Sequence, residues 1–249
     1  MSGSMPSGRS QGVDDMQMNL LPRHFKWSFP PRDYTISNEE VHVWAADLEQ
    51  TPCVDELATT LSTGERVKAA RFRFDRDRDS FIAARGLLRS ILSCYTKISA
   101  ARLEFEYEPN GKPHLAAASR FGNLNFNLSH SEGLALYAIA HDRSLGIDVE
   151  SVHSFSDMDE VSARCFQPEE QSTLRSLRPP QKEEKFFRYW TRKEAQLKCS
   201  GEGFSSDAGS KTYFGGSLLE LEPATGYIAA LAVCGGPFVL KTWQWQQAY

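Results

Sequence analysis

The chain alternates short strand-like runs with longer stretches of helical periodicity. Residues 41–48 read VHVWAADL, which favours a strand. From residue 67 to residue 95, apolar side chains recur every three or four positions, which predicts a long helical stretch. Alternating charges at residues 75–79 interrupt this stripe and predict a bend or a new helix start there.

The rest of the chain continues this mixture. Residues 103–108 alternate as a strand, and PNGKP at 109–113 predicts a turn. Residues 125–128 and 134–140 predict a hairpin that closes through SHSEG at 129–133. The remaining predicted elements are a strand at 145–150, helices near 158–164, 168–177 and 183–199, and strands at 218–222, 227–233 and 238–245. Because helices and strands are interspersed, the predicted class is α+β or α/β with antiparallel pairing.

Length, charge and apolar runs narrow the possible roles. A chain of 249 residues can bury a core as one large domain or two small lobes. Its net charge of −4 argues against bulk nucleic-acid binding. The longest apolar runs, 134–140 and 228–234, are too short to cross a bilayer, and the N-terminus has no apolar signal region. These features predict a cytoplasmic protein that binds neither nucleic acid nor membrane.

The N-terminal segment and the cysteines carry no recognisable site. Residues 1–20 are rich in Ser, Gly, Met and Gln without periodicity, which predicts a disordered tail or an added cloning segment. The cysteines lack CxxC spacing, which excludes a zinc ribbon and gives no disulfide framework. We therefore predict reduced core thiols. The five cysteines are Cys53, Cys94, Cys165, Cys199 and Cys234.

Two carboxylates share one face of the predicted strand at 145–150. In the sequence Gly-Ile-Asp-Val-Glu, Asp148 and Glu150 point to the face opposite Ile147 and Val149. Residues two apart are separated by roughly 6.6 Å along a strand. Magnesium keeps several waters and needs few carboxylates, so the pair suits Mg²⁺ better than a full protein cage. The alternative is an amphipathic strand with one solvated face.

A third carboxylate lies on the predicted helix at 183–199. Phe187, Trp190, Glu194 and Leu197 follow 3-4-3 spacing, which puts Glu194 at a position that the pattern gives to a core residue. A buried carboxylate is costly unless it is paired, hydrogen-bonded or bound to a metal. Lys198 follows one turn later. The alternative is an ordinary Glu–Lys pair on a solvated flank of the helix.

Several basic and polar residues are weaker candidates for phosphate binding. Lys68 and Arg71 share a predicted helix face and could hold a phosphate or only solvate the helix. Lys112 lies in a rigid turn, where a lysine suits phosphate but is usually only solvated. His130 lies at a strand end between hydroxyls, although a lone histidine is more often structural. Glu170 falls in the first turn of a helix, where the dipole alone favours an acid. Arg85 and Arg89 are interpreted as structural.

The order of these segments resembles the 4′-phosphopantetheinyl transferases of the surfactin-synthetase type. A basic helix, G-K-P, F-N-x-S-H-S, G-I-D-x-E and W-x-x-K-E-A-x-x-K follow one another across about residues 60–205. The spacing of about 40 residues between the last two motifs is specific for that superfamily. The G-K-P and S-H-S segments indicate the two-lobed, monomeric type.

The resemblance implies a fold and a metal site. Two similar α/β subdomains related by a pseudo-twofold axis, residues 21–143 and 144–249, would hold coenzyme A between them. Asp148, Glu150 and Glu194 would hold Mg²⁺ on the pyrophosphate of coenzyme A.

The resemblance also implies residues for the rest of the ligand. Lys198 and Lys193 would face the phosphates, and Lys112, Ser129 and His130 would bind the nucleotide end. His130 and Lys68, with Arg71 as a weaker candidate, would lie near the 3′-phosphate. Glu170 matches a family acid near the metal site. In a departure from the pattern, Glu65 stands where many relatives carry a base.

The implied reaction transfers the 4′-phosphopantetheine arm to a serine of an acyl or peptidyl carrier protein and releases 3′,5′-ADP. Glu194, directly or through a metal-bound water, would remove the serine proton, and Lys198 would stabilise the leaving oxygens. Arg66, Arg73 and Arg76 could complement an acidic carrier domain. The alternatives are a magnesium-dependent pyrophosphohydrolase acting on coenzyme A and a non-catalytic binder of coenzyme A or a carrier. Fatty-acid, polyketide and nonribosomal peptide pathways all remain open.

Overall fold

A computed structural model describes residues 26–31, 35–51, 54–116, 123–201 and 214–246. The predicted tail at residues 1–20 and Cys53 lie outside these ranges. The strands are β1 (Glu40–Asp47), β2 (Phe105–Tyr107), β3 (Pro113–Leu115), β4 (Leu124–Ser131), β5 (Leu134–His141), β6 (Leu145–Ser151), β7 (Gly216–Leu221), β8 (Tyr227–Cys234) and β9 (Val239–Gln244). The α-helices are α1 (Val54–Thr60), α2 (Thr63–Ala69), α3 (Asp75–Thr96), α4 (Met158–Cys165), α5 (Pro168–Ser176) and α6 (Gln181–Ser200).

Two larger sheets and one small hairpin organise the strands. The first sheet has the order β4-β5-β1-β9, the second has the order β6-β8-β7, and β2 pairs with β3. Among the named strands, every pairing is antiparallel except that of β1 with β9. The predicted mixed class with antiparallel pairing is confirmed. The division at residue 143 and the pseudo-twofold axis stay predictions, and the sequence pattern gave no sign that β9 joins the first sheet.

Apolar contacts stack these sheets between two long helices. Side chains on one face of the first sheet, including Trp44 and Tyr137, pack with Leu88 of α3. The opposite face of that sheet packs against the second sheet, for example through Val43 and Ile147. Strands covered on both faces read as nearly continuous apolar runs, which explains LALYAIA in β5. None of the helices in the described ranges is both long and apolar enough to cross a bilayer.

The helical stretch predicted at residues 67–95 falls on two helices, α2 and α3. The charged insert begins α3 at Asp75, as predicted, with acids in the first turn where the helix dipole favours them. The prediction that Lys68 and Arg71 share a helix face is wrong, because α2 ends at Ala69. Ser62 and Glu65 form a capping box that fixes the start of α2.

Glu65 joins α2 to α3 through a buried ion pair. Its Oε2 atom lies 2.7 Å from Nη2 of Arg89, and its Oε1 atom lies 3.3 Å from Nε of Arg85. Arg89 also donates to the carbonyls of Ala100 and Leu103. The interpretation of Arg85 and Arg89 as structural therefore agrees with their contacts. Glu65 therefore has a structural role between α2 and α3.

A second buried polar group, His42, lies in the first sheet. The side chain is 1% exposed, and its Nδ1 atom lies 2.7 Å from the hydroxyl of Tyr95. That hydroxyl also accepts a hydrogen bond from the indole of Trp44 at 2.9 Å. Burial lowers the pKa of His42 to about 4, although Glu40, 3.4 Å away, acts in the opposite direction.

This depressed pKa predicts a loss of stability in mild acid. The pKa of histidine is about 6.5 in the unfolded chain, so the unfolded chain takes up the proton first as the pH falls. We expect the free energy of unfolding to fall by about 2 kcal/mol between about pH 7.5 and pH 5 through this group. Denaturant titrations of His42→Gln should show a smaller pH dependence than those of the unchanged protein. His114→Gln, at a half-exposed histidine, should retain the dependence. An unchanged pH dependence in His42→Gln would contradict the assignment.

Candidate functional site

The two larger sheets meet along a polar seam between β4 and β6. Alternate side chains of β4 reach across to β6, although the two strands share no ladder. The seam consists of Asn127 Oδ1 accepting from the amide of Ile147 at 2.8 Å, Ser129 Oγ donating to Asp148 Oδ1 at 2.9 Å, and Ser131 Oγ donating to Glu150 Oε2 at 2.8 Å. Both strand carboxylates are therefore held from the opposite sheet.

The turn of the predicted hairpin is shorter than the sequence indicated. Residues 129–131 belong to β4 and not to a loop, and the turn contains only Glu132 and Gly133. Both turn residues have positive φ, of 41° and 86°, as a two-residue hairpin turn requires. The strand extends to Ser131 because Ser129 and Ser131 keep the alternation that bonds to β6.

Gly146 brings α6 directly onto β6. A Cβ atom at this position would lie 2.2 Å from the carbonyl oxygen of Ala195, 2.5 Å from the amide nitrogen of Cys199 and 2.8 Å from Cβ of Lys198. No larger residue fits between the strand and the helix without movement of backbone atoms. The glycine of G-I-D-x-E thus sets the distance between the strand carboxylates and the helix that carries Glu194 and Lys198.

The buried face of α6 differs from the predicted stripe. Phe187, Thr191, Ala195 and Cys199 are buried, and Glu194 lies beside this row in a half-buried position. The prediction that Glu194 occupies a core position is therefore wrong. Small residues at 191 and 195 let the helix approach the sheet closely. As a result, Glu194 lies at the edge of the packed face.

Lys198 contacts the centre of the seam. Its Nζ atom donates to Asp148 Oδ1 at 2.7 Å, to Ser129 Oγ at 3.2 Å and to the carbonyl of Ile147 at 3.2 Å. Asp148 is 3% exposed, and its second oxygen, Oδ2, is buried without a hydrogen-bond partner. An orphaned carboxylate oxygen is costly and marks a place where a donor or a cation would be stabilised.

The three carboxyl groups repel one another. Burial raises the pKa of Asp148, and Lys198 opposes this effect. Burial and then the charge of Asp148 raise the pKa of Glu150. Burial, followed by Asp148, raises the pKa of Glu194, and Glu150 adds to the effect. A cation between the three groups would relieve this repulsion.

The three carboxylates fit a magnesium ion that also binds water and phosphate oxygens, but they do not form a complete coordination shell by themselves. Within the described ranges, no group of three or more His, Cys, Asp or Glu side chains is arranged to hold an ion by itself. Magnesium usually binds one or two carboxylates together with waters and phosphate oxygens. Hard carboxylate oxygens, including the orphaned Oδ2 of Asp148, suit that partial set.

Three predicted ligand residues are engaged with the backbone. Lys112 Nζ donates to the carbonyls of Leu145 at 3.2 Å and Lys198 at 2.6 Å, and burial lowers its pKa. Lys193 donates to the carbonyl of Cys165. Glu170 accepts from the amide of Gln167 at 3.0 Å and caps α5. Lys112 thus joins the G-K-P turn to the last turn of α6.

The remaining predicted residues lie around the rim. His130 is exposed near the end of β4, close enough to Lys198 to be affected by its charge. Lys68 is exposed on α2, with its Nζ atom 5.3 Å from the ring centre of Phe81. Arg71 is exposed in the turn after α2. No hydrogen bond or ion pair between described residues joins Lys68 or Arg71 to the three carboxylates.

Sequence reasoning missed Ser131 and Trp190 as partners of Glu150. Ser131 donates to Glu150 and also accepts from the amide of Ser151 at 3.2 Å. The indole of Trp190 hydrogen-bonds Glu150 and stacks on Phe186 at 6.2 Å between ring centres. The signal was available, because N-x-S-x-S and D-x-E have the same period of two, but the sequence does not reveal that β4 and β6 are adjacent.

Two family models and several known proteins are similar in sequence to this chain. Residues 144–219 match the family described as the 4′-phosphopantetheinyl transferase superfamily, and residues 44–142 match that described as 4′-phosphopantetheinyl transferase, N-terminal. The chain is 40% identical to the 4′-phosphopantetheinyl transferase HetI of Nostoc sp. over 232 residues, which cover 88% of this chain and 98% of that protein. It is 31% identical to the 4′-phosphopantetheinyl transferase psf-1 of Bacillus pumilus over 159 residues, 64% of this chain and 66% of that protein.

Proposed function

The chain belongs to the 4′-phosphopantetheinyl transferase superfamily, and we propose that the polar seam and α6 form its active site. The enzyme transfers the 4′-phosphopantetheine arm of coenzyme A to a serine of a carrier protein and releases 3′,5′-ADP. The observation that carries the assignment of the site is that Lys198 and Ser129 both donate to Oδ1 of Asp148, whose second oxygen, Oδ2, is buried without a hydrogen-bond partner.

The proposed metal is Mg²⁺, held by Asp148, Glu150 and Glu194 with oxygens of the substrate diphosphate. When bound, it would neutralise charge on the diphosphate. Ser131 and Trp190 hold Glu150 towards this position, and Ser129 holds Asp148. The charge of Asp148 raises the pKa of both Glu150 and Glu194, which supports the proposal, because a bound cation would offset this repulsion.

Glu194 is the proposed base for the carrier serine. It lies at the half-buried edge of α6, next to the strand carboxylates. A raised pKa makes its carboxylate a stronger proton acceptor than a solvated glutamate. Lys198 is proposed to donate to the phosphate oxygens of the leaving group, since its ammonium already points into the seam. The nucleophile comes from the partner.

The nucleotide end of coenzyme A is proposed to lie on the β4 side of the seam. Ser129 and His130 would contact it there, and Lys68 and Arg71 would lie near the 3′-phosphate. Lys112 and Lys193 would contribute charge while their ammonium groups remain on backbone carbonyls. Glu170 would act indirectly, by shaping α5 near the metal.

The carrier domain is proposed to dock near the turn after α2. Arg66 and Arg73 are exposed there and could complement an acidic helical domain. Arg76 is a weaker candidate, because its Nη2 atom lies 3.3 Å from Glu49 and 3.5 Å from Glu132. Such rim charges should affect the association rate more than the affinity.

We further propose a monomer of two lobes, residues 21–143 and 144–249, that works in the cytoplasm. The two matched segments adjoin at residue 143, which supports the division. The free thiols among the described cysteines suit a reducing compartment. A pyrophosphohydrolase is not favoured, because the named relatives are transferases.

Intact-mass measurement of an apo carrier protein tests the function. Incubation with the enzyme, coenzyme A and Mg²⁺ should yield a carrier heavier by one phosphopantetheine arm and an equal amount of 3′,5′-ADP. Omission of the enzyme is the control. Release of 3′,5′-ADP without a mass gain on any carrier tested would identify a hydrolase, and the absence of both products would indicate a binder.

A further inference from the structure

Cys199 and Cys234 bring two thiols into contact beside the site. Their Sγ atoms lie 3.3 Å apart, and both cysteines are free. Cys199 lies in the last turn of α6, directly after Lys198. Cys234 is the last residue of β8. The pair therefore bridges the helix that carries the catalytic groups and the central strand of the second sheet.

One thiol of the pair is accessible and the other is shielded. Cys234 is half-exposed and lines an open cavity of about 520 Å³, whereas Cys199 is buried. Burial and then the neighbouring Cys234 raise the pKa of Cys199 to about 12. A small oxidant would thus reach Cys234 first, and Cys199 would follow as the resolving thiol.

The surroundings of the pair link it to Lys198. The carbonyl of Lys198 accepts from Lys112 Nζ, and the charge of this ammonium opposes the rise in the pKa of Cys199. The amide of Cys199 lies against Gly146, where a single Cβ would come within 2.5 Å. Such tight packing leaves the last turn of α6 little freedom to absorb a displacement.

We propose that Cys199 and Cys234 form a reversible disulfide that displaces the last turn of α6 and lowers transferase activity. The effect on activity rests on the function proposed above. The Sγ atoms must close from 3.3 Å to about 2.0 Å. Lys198 precedes Cys199, so this closure shifts the backbone of the residue whose ammonium contacts Asp148.

The chemistry needs one peroxide molecule for each disulfide. The Cys234 thiolate attacks one oxygen of hydrogen peroxide, which breaks the O–O bond, forms a sulfenic acid and releases hydroxide. The Cys199 thiol then attacks the sulfenic sulfur and releases water, while hydroxide takes up the proton lost from Cys234. Two thiols and one peroxide thus give one disulfide and two waters, and a dithiol reductant reverses the change.

Peptide mapping with a parallel activity assay tests the proposal. After treatment with a small excess of hydrogen peroxide, we expect one cross-linked peptide pair containing Cys199 and Cys234, lighter by two hydrogen atoms. Transfer activity should fall about tenfold or more and return with dithiothreitol. Cys234→Ser should keep its activity under peroxide, whereas Cys165→Ser, a control elsewhere on the chain, should behave like the unchanged enzyme.

Results that overturn the disulfide can be distinguished from a result that overturns the proposed function. Absence of the Cys199–Cys234 cross-link, a cross-link without loss of activity, or equal inactivation of Cys234→Ser would each overturn the proposal. If the fully reduced enzyme modifies no carrier protein, the proposed function fails, and the mapping still decides whether the disulfide forms.

Discussion

Replacement of Glu194 by Gln should lower the rate of carrier modification on the order of a thousandfold. Glutamine keeps the size of the side chain but cannot accept the serine proton, and it is a weaker ligand for a hard cation. The fold should persist, because Glu194 is half-buried at the edge of α6 and not in its packed face. Initial rates from intact-mass spectra, together with thermal unfolding, measure both effects.

Glu169→Gln is the matched control for this substitution. It removes the same charge from an exposed position on α5 and should leave the rate unchanged, at a cost of at most about 1 kcal/mol in stability because Glu169 lies in the first turn of the helix. A rate for Glu194→Gln close to that of Glu169→Gln would exclude Glu194 as base and as essential metal ligand. Loss of folding in Glu194→Gln would instead assign the residue a structural role that its half-buried position does not predict.

Gly146→Ala should disrupt the site through backbone displacement. The added methyl group would come within 2.2 Å of the carbonyl oxygen of Ala195 and 2.5 Å of the amide of Cys199, so α6 must move. Overpacking of this kind costs about 1–3 kcal/mol of unfolding free energy. A displacement of about 1 Å in the helix that positions Glu194 and Lys198 should lower the transfer rate about a hundredfold.

Gly236→Ala is the matched control for Gly146→Ala. No heavy atom lies within 4 Å of a Cβ built at that position, so the substitution should change neither stability nor rate. Denaturant titrations and single-turnover transfer rates of the two variants should therefore differ clearly. Equal behaviour of Gly146→Ala and Gly236→Ala would show that the close contact between β6 and α6 does not set the site.

The local sequence was sufficient to predict the strand that carries the carboxylates. Asp148 and Glu150 share a face of β6, which runs from Leu145 to Ser151 where 145–150 was predicted. Side chains alternate between the two faces of a strand, so the shared face of Asp148 and Glu150 follows from the local sequence alone. For α6, periodicity predicted the helix but not its packed face, because Gly146 and the small Ala195 let the helix approach along a different row.

Contacts between distant segments could not be predicted. The pairing of β9 with β1 and the apposition of β4 and β6 depend on how the sheets stack, and no local pattern encodes that choice. Lys112 shows the same limit, since a lysine in a turn suggests a solvated charge or a phosphate contact. Only the fold reveals that its ammonium group bonds the end of α6.

The proposed site depends on one cation that side chains of β6 and α6 share against a diphosphate. Crystals grown with coenzyme A and Mn²⁺ in place of Mg²⁺ test it through the anomalous signal of the metal. We expect one peak within direct ligand distance of carboxylate oxygens of Asp148 and Glu194 and of a diphosphate oxygen. A metal peak away from these carboxylates, or bound coenzyme A with no metal at the seam, would exclude this cation site.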